Sequence, residues 1–327
     1  MDDLLQVINL KKYFPVEKSF LEKIFTRVRQ YVKAIDGISF TIKRGEIFSL
    51  VGESGCGKTT TGRTILRLIE PTEGKIFFEN IEITNLKINE LRKLRKKVQI
   101  IFQDPYASLN PRMKIGEAII HPLEIHGIGN KSERKEMALE MLEKVGLSPP
   151  EDFFDLYPHQ ISGGQRQRVA IARAMIVHPD FIVADEPVSM IDVSLRASIL
   201  ELMMNLKKEF NLTYLFITHD LAVAKYISDR IAVMYLGKIV EMGSKKDVFS
   251  KPKHPYTLAL LSSVPIPNPM YKGERIILKG EVPSPINPPK GCRFHPRCPY
   301  AKEKCSKEEP ILIETNREHY VACHFPL

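Results

Sequence analysis

The sequence predicts an α/β fold built around a parallel sheet, and three observations predict it. Gly52-Glu53-Ser54-Gly55-Cys56-Gly57-Lys58-Thr59 fits the pattern of a phosphate-binding loop. Phe181-Ile182-Val183-Ala184-Asp185-Glu186 is an apolar run that closes on two adjacent carboxylates. Between and beyond them, apolar runs of strand length alternate with stretches of helical period as far as about residue 250.

The loop is supported by its flanks. Ile47-Phe48-Ser49-Leu50-Val51 reads as a buried parallel strand. Thr60 to Ile69, with Ile65, Leu66 and Ile69 at helical spacing and Pro71 as a stop, reads as a helix. Glycines such as Gly52, Gly55 and Gly57 let the backbone curl around phosphate oxygens with no Cβ in the way. Amide N–H groups and the helix N-terminus add positive potential. Lys58 supplies a point charge for β- and γ-phosphates, and the Thr59 hydroxyl suits Mg²⁺. This predicts nucleotide binding and leaves open what the nucleotide drives.

At 327 residues there is room for one large domain and a smaller one, and 43% hydrophobic residues exclude a disordered chain. The net charge of +9 fits an anionic partner such as nucleic acid, a lipid surface or phosphate, and fits a solubilising surface equally. No apolar run reaches the length of about 18 residues that spans a membrane. The acidic start Met1-Asp2-Asp3 is unlike a signal peptide, so the expected compartment is the cytoplasm. There, five cysteines point to metal or redox chemistry before disulfides.

Taken in order, residues 1–46 alternate apolar and polar (Leu5, Val7, Ile8, Leu10; Ile38, Phe40, Ile42) and predict a β-rich N-terminal sheet with hairpins. Lys18 to Gln30 is a basic amphipathic insertion, a loop or short helix. Tyr13, Phe14 and Tyr31 are aromatics able to stack on a base or to fill a core. Residues 74–83 and 98–102 read as strands, with Gln103 at the second strand's end. From about 106 to 175 the period becomes helical, which predicts an inserted helical subdomain. In it Lys131 to Val145 forms a helix starting near Ser132-Glu133-Arg134 and stopped by Gly146. Ser162 reads as the N-cap of the next helix, and Gly163-Gly164 bares its first-turn N–H groups, a second potential anion site. Asp185, at a strand's C-terminal end, suits Mg²⁺, and Glu186 suits a base that polarises water. Leu195 to Phe210 is an amphipathic helix, and Tyr214 to Thr218 a strand with His219 at its end, where it could bond a γ-phosphate. Strands at 231–235 and 238–242 and a helix near 244–250 close the core.

In order and spacing, Gly52–Thr59, Gln103, Ser162–Gln165, Asp185-Glu186, Asp192 and His219 resemble the ATP-binding subunits of ABC transporters. The resemblance implies a phosphate-loop NTPase core of ABC type over residues 1–250, with an N-terminal antiparallel β subdomain and the helical insertion. It implies a head-to-tail dimer with a second homologous ATPase subunit, two ATP molecules lying at the interface. By it, Ser54, Cys56, Lys58, Thr59 and Thr60 belong to the triphosphate and Mg²⁺ site. Gln103 touches Mg²⁺ and water and couples to two transmembrane permease subunits. Ser162, Gly163, Gly164 and Gln165 cap the partner's ATP, Glu186 is the base, His219 the switch, and Asp192 the link between subunits. Tyr13, or alternatively Tyr31, stacks on the base. Met190-Ile191 before Asp192 departs mildly from the commoner Ala-Leu, as does Ile161 from Leu.

A narrower resemblance, to oligopeptide/dipeptide import ATPases, rests on Phe102 to Arg112, on Asp185 to Ser189, on Lys253-His254-Pro255-Tyr256-Thr257 and on Gly280 to Pro285. It implies peptide uptake at the cytoplasmic face of the membrane, with an extracellular solute-binding protein as an indirect partner and no nucleic acid. Nickel or oligosaccharide import by the same branch, or a soluble ABC-type ATPase acting on nucleic acid, are the alternatives. Residues 251–327 form a Cys-rich C-terminal extension entered through Pro-rich segments at Val264 to Pro269 and Val282 to Pro289. Cys292, Cys298, Cys305 and Cys323 imply a metal centre, in a spacing that is not a zinc knuckle. The resemblance implies a [4Fe–4S] cluster; zinc, with His295, His319 or His324 as substitutes, is the alternative. Cys56 stands apart, within the loop.

Overall fold

The computed structural model describes residues 3–16, 30–264, 276–278 and 280–327. The basic insertion apart from Gln30, and the Pro-rich stretch after Val264, lie outside them. The strands are β1 (Asp3–Pro15), β2 (Tyr31–Lys43), β3 (Ile47–Val51), β4 (Glu73–Phe78), β5 (Ile81–Glu82), β6 (Val98–Ile101), β7 (Phe181–Asp185), β8 (Thr213–Thr218), β9 (Arg230–Tyr235), β10 (Lys238–Ser244), β11 (Ile313–Asn316) and β12 (His319–Val321). The chain divides into two compact units. One comprises Met1–Lys43, Ile47–Thr84 and Ile217–Leu327; the other comprises Arg44–Glu46 and Asn85–Phe216.

In the first unit the expected N-terminal antiparallel sheet is present, in the order β2-β1-β4-β5. Leu5, Val7, Leu10, Ile38, Phe40 and Ile42 are its buried face, whereas Ile8 is exposed, next to the register shift between Val7 and Leu10. A second sheet runs β11-β12-β10-β9-β3. β3 is buried at every position and lies parallel to β9, from Phe48↔Arg230 to Val51↔Val233, which is why it reads as an unbroken apolar run. β9 and β10 are antiparallel, so the sheet is mixed, with its parallel pairs as expected and an antiparallel addition at this side. Only Leu236 and Gly237 separate them, both at positive φ (43° and 78°), and two such residues close a hairpin but cannot make a parallel crossover.

The C-terminal extension adds to this same sheet: β12 pairs with β10 (Glu241↔Val321, Met242↔Tyr320) and β11 with β12. It also shares the core. Tyr256 and Phe294 join Val51, Leu221, Val233 and Tyr235 in one buried cluster. Their rings meet edge-on or tilted, Tyr235 to Tyr256 at 4.7 Å and Phe294 to each tyrosine at 5.3 Å. The buried Glu241 carboxylate accepts from Lys253 N at 2.8 Å and His254 N at 2.9 Å, and pairs with His319 Nε2 at 2.8 Å. Burial holds His254 down at about 4, so its neutral Nδ1 can accept from Tyr256 N at 3.1 Å and start the helix Pro255–Ser262.

In the second unit β6 and β7 are parallel, from Val98↔Phe181 to Ile101↔Ala184, with β8 beside β7. The helical insertion contains the helices Ile115–Ile125, Lys131–Lys144 and Gly163–Met175. The middle one starts at Lys131, beside the expected Ser132, and its cap is Asn130. Asn130 Oδ1 accepts from Ser132 N (2.9 Å) and Glu133 N (3.1 Å), and Asn130 N donates in return to Glu133 Oε2. Gly146, at φ 74°, follows its end as expected. The Val193–Phe210 helix begins two positions before Leu195, behind Asp192, and ends on left-handed Asn211.

Candidate nucleotide site

The phosphate-binding loop belongs to the first unit, between β3 and the helix Lys58–Ile65. Two glycines are required by close approach as well as by φ. A Cβ on Gly52 would lie 2.2 Å from Met234 O, and one on Gly57 (φ +108°) 2.1 Å from Ala34 O. Gly237 N donates to Cys56 O at 2.9 Å, pinning the loop to the β9–β10 turn. Ser54 and Gly55 are exposed at the tip, while Cys56 is buried and burial raises its thiol. Lys58 is 5% exposed, with Nζ donating to Gly52 O at 2.8 Å and Glu53 O at 3.0 Å, so its charge is held at the mouth of the loop. Thr59 and Thr60 open the helix.

Glu53 is fixed at both ends. Its N–H donates to the buried Tyr256 hydroxyl at 3.0 Å. Its carboxylate takes a two-point ion pair from Arg297, at 2.8 and 3.2 Å. Nothing local in the sequence signals this contact, although Tyr256 lies in the Lys253–Thr257 stretch and Arg297 directly precedes Cys298. Tyr13 donates its hydroxyl to Asp36, which also pairs with buried Arg293. Burial, then the Asp36 bond, pushes that hydroxyl's pKa up. Lys33 Nζ stands 5.7 Å from the Tyr13 ring centre, whereas Tyr31 is 38% exposed. His219 follows β8 directly and is exposed; Asp220 then caps the helix Leu221–Ile227.

The second unit assembles the carboxylates. Asp185 ends β7 and is buried. Glu186 follows at φ +49°, a left-handed conformation that turns its side chain away from the strand's alternation. Gln103 Nε2 donates to Glu186 Oε2 at 3.1 Å, so the residue after β6 and the residue after β7 meet. Ser162 is the expected N-cap: Gln165 N donates to its Oγ at 3.3 Å, and Ser162 N donates to Gln165 Oε1 at 2.9 Å. A Cβ on Gly164 would come 3.0 Å from Leu195, so this glycine seats the helix start against the helix behind Asp192. Ser162, Gly164, Gln165 and Arg168 line one open cleft. The Arg166 guanidinium lies 3.6 Å from the Tyr106 ring centre and bonds its hydroxyl, tying this helix to the segment after Gln103.

The four tail cysteines line one small cavity, with His295 and His324 on its wall. Burial, with smaller contributions from the neighbouring thiols, pushes Cys292 up to about 11; burial also raises Cys298 and Cys323. Among the described residues no group of three or more Cys, His, Asp or Glu side chains is placed to hold a metal ion. The donor set itself is of the kind that suits one: four cysteine sulfurs line one cavity, and a cationic centre there would favour their thiolates. Among the described residues no helix is long and apolar enough to cross a membrane.

Residues 35–189 match the family described as ABC transporter, and residues 240–305 the one described as oligopeptide/dipeptide transporter, C-terminal region. The chain is 52% identical over 326 residues to the oligopeptide transport ATP-binding protein AppF of Bacillus subtilis (strain 168), covering 99% of this chain and 97% of that protein. It is 50% identical over 320 residues to the dipeptide transport ATP-binding protein DppF of Haemophilus influenzae, covering 98% and 96%. Among solved structures it is similar to a dimeric post-hydrolysis state of the ATP-binding cassette MJ0796 bound to ADP and Pi. There the TM-score is 0.64 and the identity 32%, over 74% of this chain and 98% of that one.

Proposed function

This chain belongs to the ATP-binding subunits of ABC transporters, in the branch with the oligopeptide/dipeptide-transporter C-terminal region, and from that premise we propose how its residues divide the work. It is the ATP-hydrolysing subunit of a peptide importer. The observation that carries this is identity of 50% or more along nearly the whole chain, cassette and tail together, to peptide-transport ATP-binding proteins. Such a subunit works as a dimer of ATPases with membrane permease subunits. Its place is peripheral, at the cytoplasmic face, with residues 1–250 as the ATPase domain and 251–327 as the extension. A solute-binding protein delivers the peptide from outside.

The loop N–H groups and Lys58 hold the triphosphate, while Thr59 and Asp185 are the residues that would hold Mg²⁺, whose charge would offset that of the phosphates. Water attacks the γ-phosphorus, its proton passes to Glu186, and the bond to the bridging oxygen breaks. Gln103 orients Glu186 through the bond already described. His219 faces the γ-phosphate as the switch, and Tyr13 or Tyr31 stacks on the base. Ser162 to Gln165 complete the partner subunit's site, with Asp192 beside them, so each site is shared by two chains. Hydrolysis should therefore rise with the second power of subunit concentration when dilute; specific activity independent of concentration would refute the shared site. Reconstituted with both permeases and the binding protein in vesicles, the complex should take up labelled di- or oligopeptide only with ATP. Absence of peptide-stimulated hydrolysis would exclude this function.

Cys292, Cys298, Cys305 and Cys323 would hold a [4Fe–4S] cluster, which would supply a covalent brace for the tail. Purified without oxygen, the chain should be brown, with about four irons per chain, and should bleach on reduction. A colourless preparation with one zinc would replace the cluster by zinc.

A further inference from the structure

The contact between the extension and the phosphate-binding loop has no part in the mechanism above. Glu53 is the second residue of that loop, and its carboxylate stands in the segment that receives a triphosphate. An anion there opposes the ligand unless something neutralises it. Arg297 does so from the other end of the chain, through both carboxylate oxygens. The pair is poorly solvated, its side chains 9% and 28% exposed, and the guanidinium lies 6.0 Å from the Tyr235 ring centre in the core that Phe294 and Tyr256 share. Arg297 is thus held by the packed extension, beside Cys298, and cannot follow the loop if the extension loosens.

We propose that Arg297 is a positioning residue for ATP: it neutralises Glu53 and so sets the nucleotide affinity of the phosphate-binding loop from within the cysteine-bearing extension. The inference rests on the reading of Gly52–Thr59 as the ATP loop. It also makes the extension a determinant of ATP affinity, although none of its residues belongs to the cassette motifs.

The test is nucleotide affinity of the full-length chain, read with a fluorescent ATP analogue, together with KM and kcat. Arg297→Met, which keeps the apolar stem over Tyr235, should weaken binding by about tenfold and raise KM with kcat nearly unchanged, because an uncompensated carboxylate remains in the loop. Arg297→Lys, which keeps the charge, should stay close to the parent. Glu53→Gln, which removes the anion and frees the guanidinium's charge, should bind ATP at least as tightly as the parent and should restore affinity to Arg297→Met in the double variant. The defect should shrink as salt is raised. Normal affinity in Arg297→Met overturns the proposal, and so does a defect that Glu53→Gln fails to rescue, since that would mean Arg297 acts only by packing the extension. If Arg297→Met does not fold, Arg297→Gln with and without Glu53→Gln answers the same question. Lys58→Ala separates the two readings. If it weakens binding while Arg297→Met does not, the loop binds ATP and the proposal alone falls; if neither weakens it, both fall.

Discussion

Glu186→Gln should lower ATP turnover by about 10²- to 10⁴-fold, the usual worth of a positioned general base, while leaving ATP binding intact. The substitution is nearly isosteric. It keeps the left-handed turn after β7, which the strand and its neighbours impose, and keeps a side-chain oxygen for Gln103 Nε2, now 3.1 Å from Oε2. Only the basicity is lost. Phosphate release should therefore collapse while the dissociation constant for ATP stays put, and ATP-bound dimers should accumulate because nothing resets them. Turnover within about tenfold of the parent would remove Glu186 from the chemistry.

Lys58→Ala should act earlier, on binding. Lys58 is buried and its ammonium is held by two loop carbonyls, so the charge is already placed in the loop that receives the phosphates. Hydrogen bonds to charged groups contribute about 1.5–3 kcal/mol, which predicts a loss of about 10- to 150-fold in ATP affinity. Removing the ammonium also leaves Gly52 O and Glu53 O without that donor, so a modest drop in melting temperature should accompany the loss. Isothermal titration with ATP checks the first and a thermal melt the second. Unaltered affinity would mean that the phosphates are held elsewhere.

How legible all this was depends on the distance over which the information is spread. The phosphate-binding loop, the β7 carboxylates and the Ser162 cap are readable because each is decided within a few residues: a glycine where a Cβ would strike a carbonyl, an apolar run before an acid, a serine three residues before a glutamine. The hairpin after Tyr235 was also local, in the Leu236-Gly237 pair, yet strand spacing alone cannot tell it from parallel neighbours. β11 and β12 escaped sequence reading because they are short: β11 carries polar residues such as Glu314 and Thr315 on a largely exposed strand, and β12 has only three residues, too few for an alternation to be counted. Arg297 and Glu53 lie 244 positions apart, and Arg293 and Asp36 lie 257 apart. No period or motif links such residues; only the folded core brings them together.

The pairing of β12 on β10 has a further consequence, for the solution behaviour of the chain. A strand at the border of a sheet offers its amides and carbonyls to any passing chain, and β10, with Ile239, Val240 and Met242 buried along it, would be an adhesive border if bare. The tail covers it with β12, whose outer neighbour in the sheet is the short, largely exposed β11, a poor template for further addition. By pairing with β10, β12 occupies hydrogen-bonding groups that would otherwise be open to edge-to-edge addition by another chain.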